Sequence, residues 1–344
     1  MNGSQTISGN NGITEGLIQS AYESLKNGEG EAALGSLKTA LKTDFEHQEV
    51  LYALKCLNWW LEKIQLLDNF RDPYEQGGFI LSQWESYHVF LDRLVGQTPN
   101  RVEPNLNRGN KLLPNNEAVD SCQYALRRFI FSKALTFFLE LLRDEINQQD
   151  PVLLLQAGRC SKGAGDWEEA LGYLERASRL KREDSSILSE LADVNALLED
   201  FRAAKVLFRE AFFLDSQGVD LWSLESEMII SLRNRVRDKG YTGNELAEWI
   251  PVWGCLEGVF SVKRELKPVE LGRLKQSILS LENEHRSKGG DSTLLKPKLL
   301  NRYFWLIDHC ENNLGTPGMK GLIDDTMRKI KIIDSVIYDR YNKQ

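Results

Sequence analysis

A chain of 344 residues with 43 lysines and arginines against 50 aspartates and glutamates carries a formal charge of -7, without long blocks of one sign. That balance disfavours a nucleic-acid binder, which needs a basic stripe to displace counterions from phosphate. A hydrophobic share of 42% is enough for a core, and no apolar run approaches the roughly 18 residues of a bilayer span, so a cytoplasmic protein with no membrane span is expected.

The opening Met1 to Gly12 has neither a basic nor an apolar stretch and reads as a flexible lead. From Ile13 onward, apolar residues recur at helical spacing and alternating β-branched runs are nearly absent, which predicts an all-α chain. Residues 13–148 form an N-terminal helical region. It opens with Leu17 to Ala21 and Gly28 to Leu41, followed by long helices over His47–Ile64, with Trp59 and Trp60, and Tyr74–Leu94. Adjacent aromatics such as Trp59 and Trp60 are expected to face different ways. The stretch Gly96 to Pro114, rich in Asn, Pro and Gly, reads as a mobile or draping loop. A central region covers 149–240, and 241–344 is a C-terminal helical region of degenerate repeats or a cap. Its helices are expected at Asn244–Leu266 with a kink at Pro251, Val269–Ser287, Leu294–Asn313 and Gly318–Asn342, with a break over Ser287–Ser292.

The central region repeats itself. Sliding it by thirty-four residues carries Asp166 onto Asp200, Trp167 onto Phe201, Ala170 onto Ala204, Leu174 onto Phe208, Ala177 onto Ala211 and Leu180 onto Leu214. Upstream, Leu154 falls on Leu188 and Gly158 on Ala192, and a further step takes Leu188 to Trp222, after which the frame fails. Leu17, Ala21, Ala33, Leu37 and Ala40 fit the same frame near the N-terminus, with Gly30 where an aromatic is expected, so looser packing is expected there. A weaker copy over 115–148 places Cys122, Phe131, Ala134, Phe138 and Leu141 in frame. This pattern of small and large residues resembles the tetratricopeptide repeat, a pair of antiparallel helices. The resemblance implies an α-α superhelix, or solenoid, of such pairs, with irregular helical insertions and the C-terminal helical region beside it.

Members of that family commonly hold a peptide or helix of a partner in a concave groove lined by the first helix of each pair. By register, the resemblance assigns groove positions to Gln19 and Tyr22, to Gln156, Arg159 and Lys162, and to Glu190 and Asp193. A known carboxylate clamp of the family is not reproduced, since its positions hold Ile18 and Tyr22, Leu155 and Arg159, and Ser189 and Asp193. The expected partner is therefore an internal protein or peptide segment of mixed charge, with homo-oligomerisation open.

Catalytic signals are weak. Gly163-Ala-Gly165 lacks a third glycine in register and a preceding strand, so it reads as a hairpin corner, with Asp166 and Asp200 as helix caps. The five cysteines form no C-x-x-C pair, and His47, His88, His285 and His309 show no metal-ligand spacing. Asp308-His309-Cys310-Glu311 puts acid, base and thiol in succession, but consecutive helical residues point about 100° apart and do not meet. No catalytic residue, metal or cofactor is assigned. The alternative to a non-enzymatic scaffold is a helical enzyme or small-ligand receptor, with a site between the repeats and the C-terminal helices near Trp249, Trp253 and Trp305.

Overall fold

The computed structural model describes residues 4–95, 114–261, 265–287 and 293–343; the 96–114 loop (save Pro114) and the break after Ser287 lie outside them. Among the described residues there are fifteen α-helices and no strand. The first six are α1 (Ser4–Lys26), α2 (Gly30–Thr43), α3 (Gln48–Gln65), α4 (Pro73–Val95), α5 (Asn116–Leu141) and α6 (Pro151–Ala164). Then come α7 (Trp167–Leu180), α8 (Ser185–Leu197), α9 (Phe201–Leu214), α10 (Glu227–Asp238) and α11 (Gly243–Leu256). Last are α12 (Pro268–Ser287), α13 (Leu295–Asn312), α14 (Met319–Ile333) and α15 (Ser335–Tyr341). The chain forms two compact units, Met1–Tyr173 and Leu174–Gln344.

One corner geometry closes three of these helices. After α1, Gly28 N–H donates to Leu25 O at 2.9 Å and Glu29 N–H to Ser24 O at 2.8 Å; after α6, Gly165 N–H donates to Lys162 O and Asp166 N–H to Ser161 O, both at 2.9 Å. After α8 the same two bonds run from Glu199 to Ala196 at 3.1 Å and from Asp200 to Asn195 at 2.8 Å. This is the Schellman arrangement, which needs a left-handed residue at its centre. Gly28 and Gly165 supply it at φ 85, where glycine has no Cβ to clash. Glu199 supplies it at φ 65, and among the described residues no other non-glycine has positive φ.

The thirty-four-residue frame also holds in depth. Ala33, Leu37 and Ala40 on α2, Ala170, Leu174 and Ala177 on α7, and Ala204, Phe208 and Ala211 on α9 are all fully buried. The caps share it as well. Asp150 accepts from Val152 N–H at 2.7 Å and Asp184 from Ile187 N–H at 3.1 Å, starting α6 and α8 thirty-four residues apart. At the next corner Asp200 accepts from Ala203 N–H at 3.0 Å, while Asp166 pairs with Arg128 at 3.2 Å.

In the first unit α1 packs on α2, α2 on α3, α4 on α5 and α5 on α6, with α5 also touching α1 and α3. Four sequence expectations change here. The segment read as a lead is helical from Ser4, with no proline to stop α1 from extending. The 115–148 copy is not a helix pair: one helix, α5, runs over Asn116–Leu141 with no Gly or Pro to break it, turns follow, and Cys122, Phe131, Ala134 and Phe138 are buried around it. Gly30 does not loosen its pair: a Cβ there would stand 2.7 Å from Phe129 Cζ, so the ring of α5 occupies the space an aromatic would have filled. Trp59 and Trp60 both reach Tyr87, at ring-centroid distances of 5.2 and 5.1 Å, because the rings meet edge to face and enter from two sides.

In the second unit α8 packs on α9, α10 on α11, α12 on α13, α13 on α14 and α14 on α15, and α11 also touches α9 and α13. A continuous apolar core runs from Leu188 and Phe208 through Trp249 and Phe304 to Ile337. Pro251 lies inside α11, which stops at Leu256 rather than Leu266. Gly258 turns the chain at φ 70, and the Phe260 ring packs onto Gly254, where a Cβ would stand 2.3 Å from it. The expected Gly318–Asn342 helix is divided at Asp334, whose extended backbone and side chain cap α15 through Ile337 N–H at 3.0 Å.

Candidate partner-binding surface

The residues assigned to a groove stand at very different depths. Gln19 is exposed on α1, and Gln156 and Arg159 are half-buried on one stripe of α6, while Lys162 on the same stripe is only 2% exposed. Tyr22 is buried and donates to Glu49 Oε1 at 2.9 Å. Burial first, then Cys122 and Glu49 nearby, push its phenol well above the ordinary range, so it stays neutral. A second set of buried polar contacts links α3, α4 and α5. Gln123 donates to Tyr52 Oη at 2.9 Å and accepts from Tyr87 Oη at 3.1 Å. Sequence reading gave no hint of this network, because its members are spread over three helices.

Glu190 and Asp193 on α8 are fully buried. Beyond α9, residues 215–226 form turns instead of another first helix, and α8 holds them in place. Ser223 Oγ donates to Glu190 Oε1 at 2.5 Å, Asp193 accepts from Glu225 N–H and Ser226 N–H at 2.8 Å each, and Ser186 Oγ donates to Gly218 O at 2.6 Å. The Asp193 carboxylate does for an irregular backbone what a helix would do for itself, and Glu190 holds the Ser223 side chain of the same segment. Their environment is thus internal, whatever groove the hairpins form.

Trp222 lies on this segment at the position where the frame demands a core residue, yet it is 67% exposed. The Arg233 guanidinium of α10 lies over its ring, 4.6 Å from the centroid, and donates from Nη1 to Leu221 O at 2.7 Å. Burial, then repulsion from Arg237 one turn on, lowers the Arg233 pKa, with Asp193 opposing. Arg237 is exposed and makes no ion pair or side-chain hydrogen bond among the described residues.

No family model matches this chain, and no curated protein matches it. What it can bind is therefore read from its own residues.

Among the described residues, two cavities of the second unit lie near α13 and α15. One of about 440 Å³ is lined by Arg209 of α9, Cys255 and Phe260 near the end of α11, Phe304 and Asp308 of α13, and Tyr341 of α15. The other, about 530 Å³, lies among α13, α14 and α15 and shares Glu311 and Tyr341 with the first. Arg209 is ion-paired with Asp308, both nearly fully buried, and its guanidinium stacks on Trp305 at 4.6 Å from the centroid. The Asp308-His309-Cys310-Glu311 run disperses as its helical phase requires. Asp308 meets Arg209, His309 Nδ1 accepts from Leu266 N–H at 3.2 Å, Cys310 is buried, and Glu311 borders both cavities. Of the three tryptophans expected near a ligand site, Trp249 and Trp253 are buried in the core and Trp305 lies behind Arg209.

Proposed function

We propose that this chain is a non-enzymatic protein-interaction module whose helix pairs follow one another as tetratricopeptide-like hairpins, and that it binds a protein segment on its exposed polar faces. The observation that supports this reading most strongly is the recurrence of one corner, hydrogen bond for hydrogen bond, at Gly28, Gly165 and Glu199. Repeated hairpins of this kind present extended surfaces suited to a peptide or helix. Within the groove set, Gln19, Gln156 and Arg159 are the residues a partner reaches, since Tyr22, Lys162, Glu190 and Asp193 are buried. Affinity capture from the source cell tests the reading. Wild-type protein is expected to recover a partner that Arg159→Glu loses with helicity unchanged by circular dichroism. If every recovered protein survives that substitution, the α6 face is not the binding surface.

A second reading, a small-ligand receptor, is favoured by the cavity of about 440 Å³ where Arg209, Asp308 and Glu311 converge beside Phe260, Phe304 and Tyr341. Its polar groups on an aromatic wall suit a small ligand bearing both charges. A screen of amino acids and short peptides by thermal shift tests it; no shift with any of them would remove this reading.

A further inference from the structure

We propose that Trp222, Arg233 and Arg237 form a docking surface for an acidic segment of a partner protein, in which carboxylates meet the two guanidiniums and an apolar side chain covers the open part of the indole. Such docking presupposes the interaction module proposed above and names the chemistry of its partner.

Three features carry it. The first is charge. Arg233 and Arg237 are one turn apart on α10, where like charges repel. Their helix companion Arg235 is neutralised by Glu257 at 2.7 Å, but Arg237 makes no ion pair among the described residues. Asp193, whose charge acts on Arg233, has its two oxygens on the Glu225 and Ser226 N–H groups. An anion between the two guanidiniums would replace their repulsion with two charge-assisted contacts. The second is the aromatic. Trp222 is 67% exposed, with the Arg233 guanidinium held over its ring, and its backbone N–H donates to the Asp220 carboxylate at 3.1 Å, which fixes the main chain that carries the side chain. An indole fixed in this way loses little freedom on binding, and tryptophan and arginine are the commonest interface anchors. The third is hydrogen-bonding capacity. Among the described residues Nη1 of the Arg233 guanidinium donates to the Leu221 carbonyl and Nε is buried, which leaves Nη2 as the group without a partner.

Fluorescence anisotropy with the full chain tests the surface, using a labelled peptide of alternating glutamate and leucine, its lysine counterpart and a single-stranded oligonucleotide. The glutamate peptide is expected to bind most tightly, and to weaken as salt is raised. Arg237→Glu and Trp222→Ala should each cost about tenfold in affinity, as truncated interface anchors do. Both side chains are exposed, and circular dichroism checks that the variants fold. The proposal is overturned if the lysine peptide or the oligonucleotide binds as tightly, or if Arg237→Glu leaves the affinity unchanged. Loss here while a partner is still captured through Arg159 removes this surface alone. Loss of both removes the interaction module.

Discussion

Glu190 and Asp193, three residues apart on α8, are fully buried and hold the 215–226 segment, Asp193 by two backbone N–H groups and Glu190 by the Ser223 hydroxyl, whereas Arg233 and Arg237, four residues apart on α10, brace little beyond the Leu221 carbonyl. In the sequence both pairs are charged residues on one helical stripe. The difference is what lies opposite. An irregular segment crosses α8 and needs acceptors for N–H groups that no helix satisfies, while Arg237 faces solvent. Charge on a helix marks a binding surface only after the backbone's own demands have been met.

Several substitutions break or sharpen this contrast. The largest effect is expected at the buried ion pair of the second unit. Asp308→Ala strands Arg209, buried and stacked on Trp305, and should lower stability by about 3–5 kcal/mol in urea denaturation, as broken buried ion pairs do. Asp193→Ala should cost about 2–3 kcal/mol, because two backbone N–H groups lose a charged acceptor. If Asp193→Ala were neutral, its carboxylate would not be holding the segment and the contrast with α10 would collapse. A smaller change of opposite sign is expected at the corner. Glu199→Gly relieves a left-handed conformation and should stabilise by about 1 kcal/mol, whereas Gly165→Ala, at the same place in its own corner, should destabilise. Smallest of all, Arg237→Glu should leave the urea midpoint where it is and act only on partner affinity. A stability loss there would mean that α10 too is engaged internally.

The acid side of the molecule gives a pH test. Burial raises the Asp334 carboxyl, but the Lys296 ammonium at 2.6 Å and the Ile337 N–H outweigh it, and its pKa lies below the ordinary carboxylate value. A group depressed in the folded state contributes stability above its unfolded pKa of about 3.9 and loses it as pH falls through the folded value. Lys296→Met should therefore reduce the difference in stability between neutral and acidic pH, and thermal melts across that range would show it.

The sequence by itself determined that the chain is helical, where several of its helices begin and end, and which residues of each repeated hairpin lie inside, but it did not announce α10, the early start of α1 or the break at Asp334. Ala170, Leu174 and Ala177, and their counterparts on α2 and α9, are buried because a 3.6-residue period fixes which side chains share a face. The corners were legible too, even at Glu199, because the frame located a turn that the residue alone would not reveal. Only the tertiary structure decided which polar stripes remain open. Tyr22, Lys162, Glu190 and Asp193 occupy positions that register assigns to a groove, and all are buried. Likewise Trp222 is exposed where the frame calls for core, since the helix that would have carried it is replaced by turns. Periodicity tells how a side chain points from its own helix. What it meets there is set by segments distant in the chain, and an irregular stretch such as 215–226 has no period to announce where it will cross.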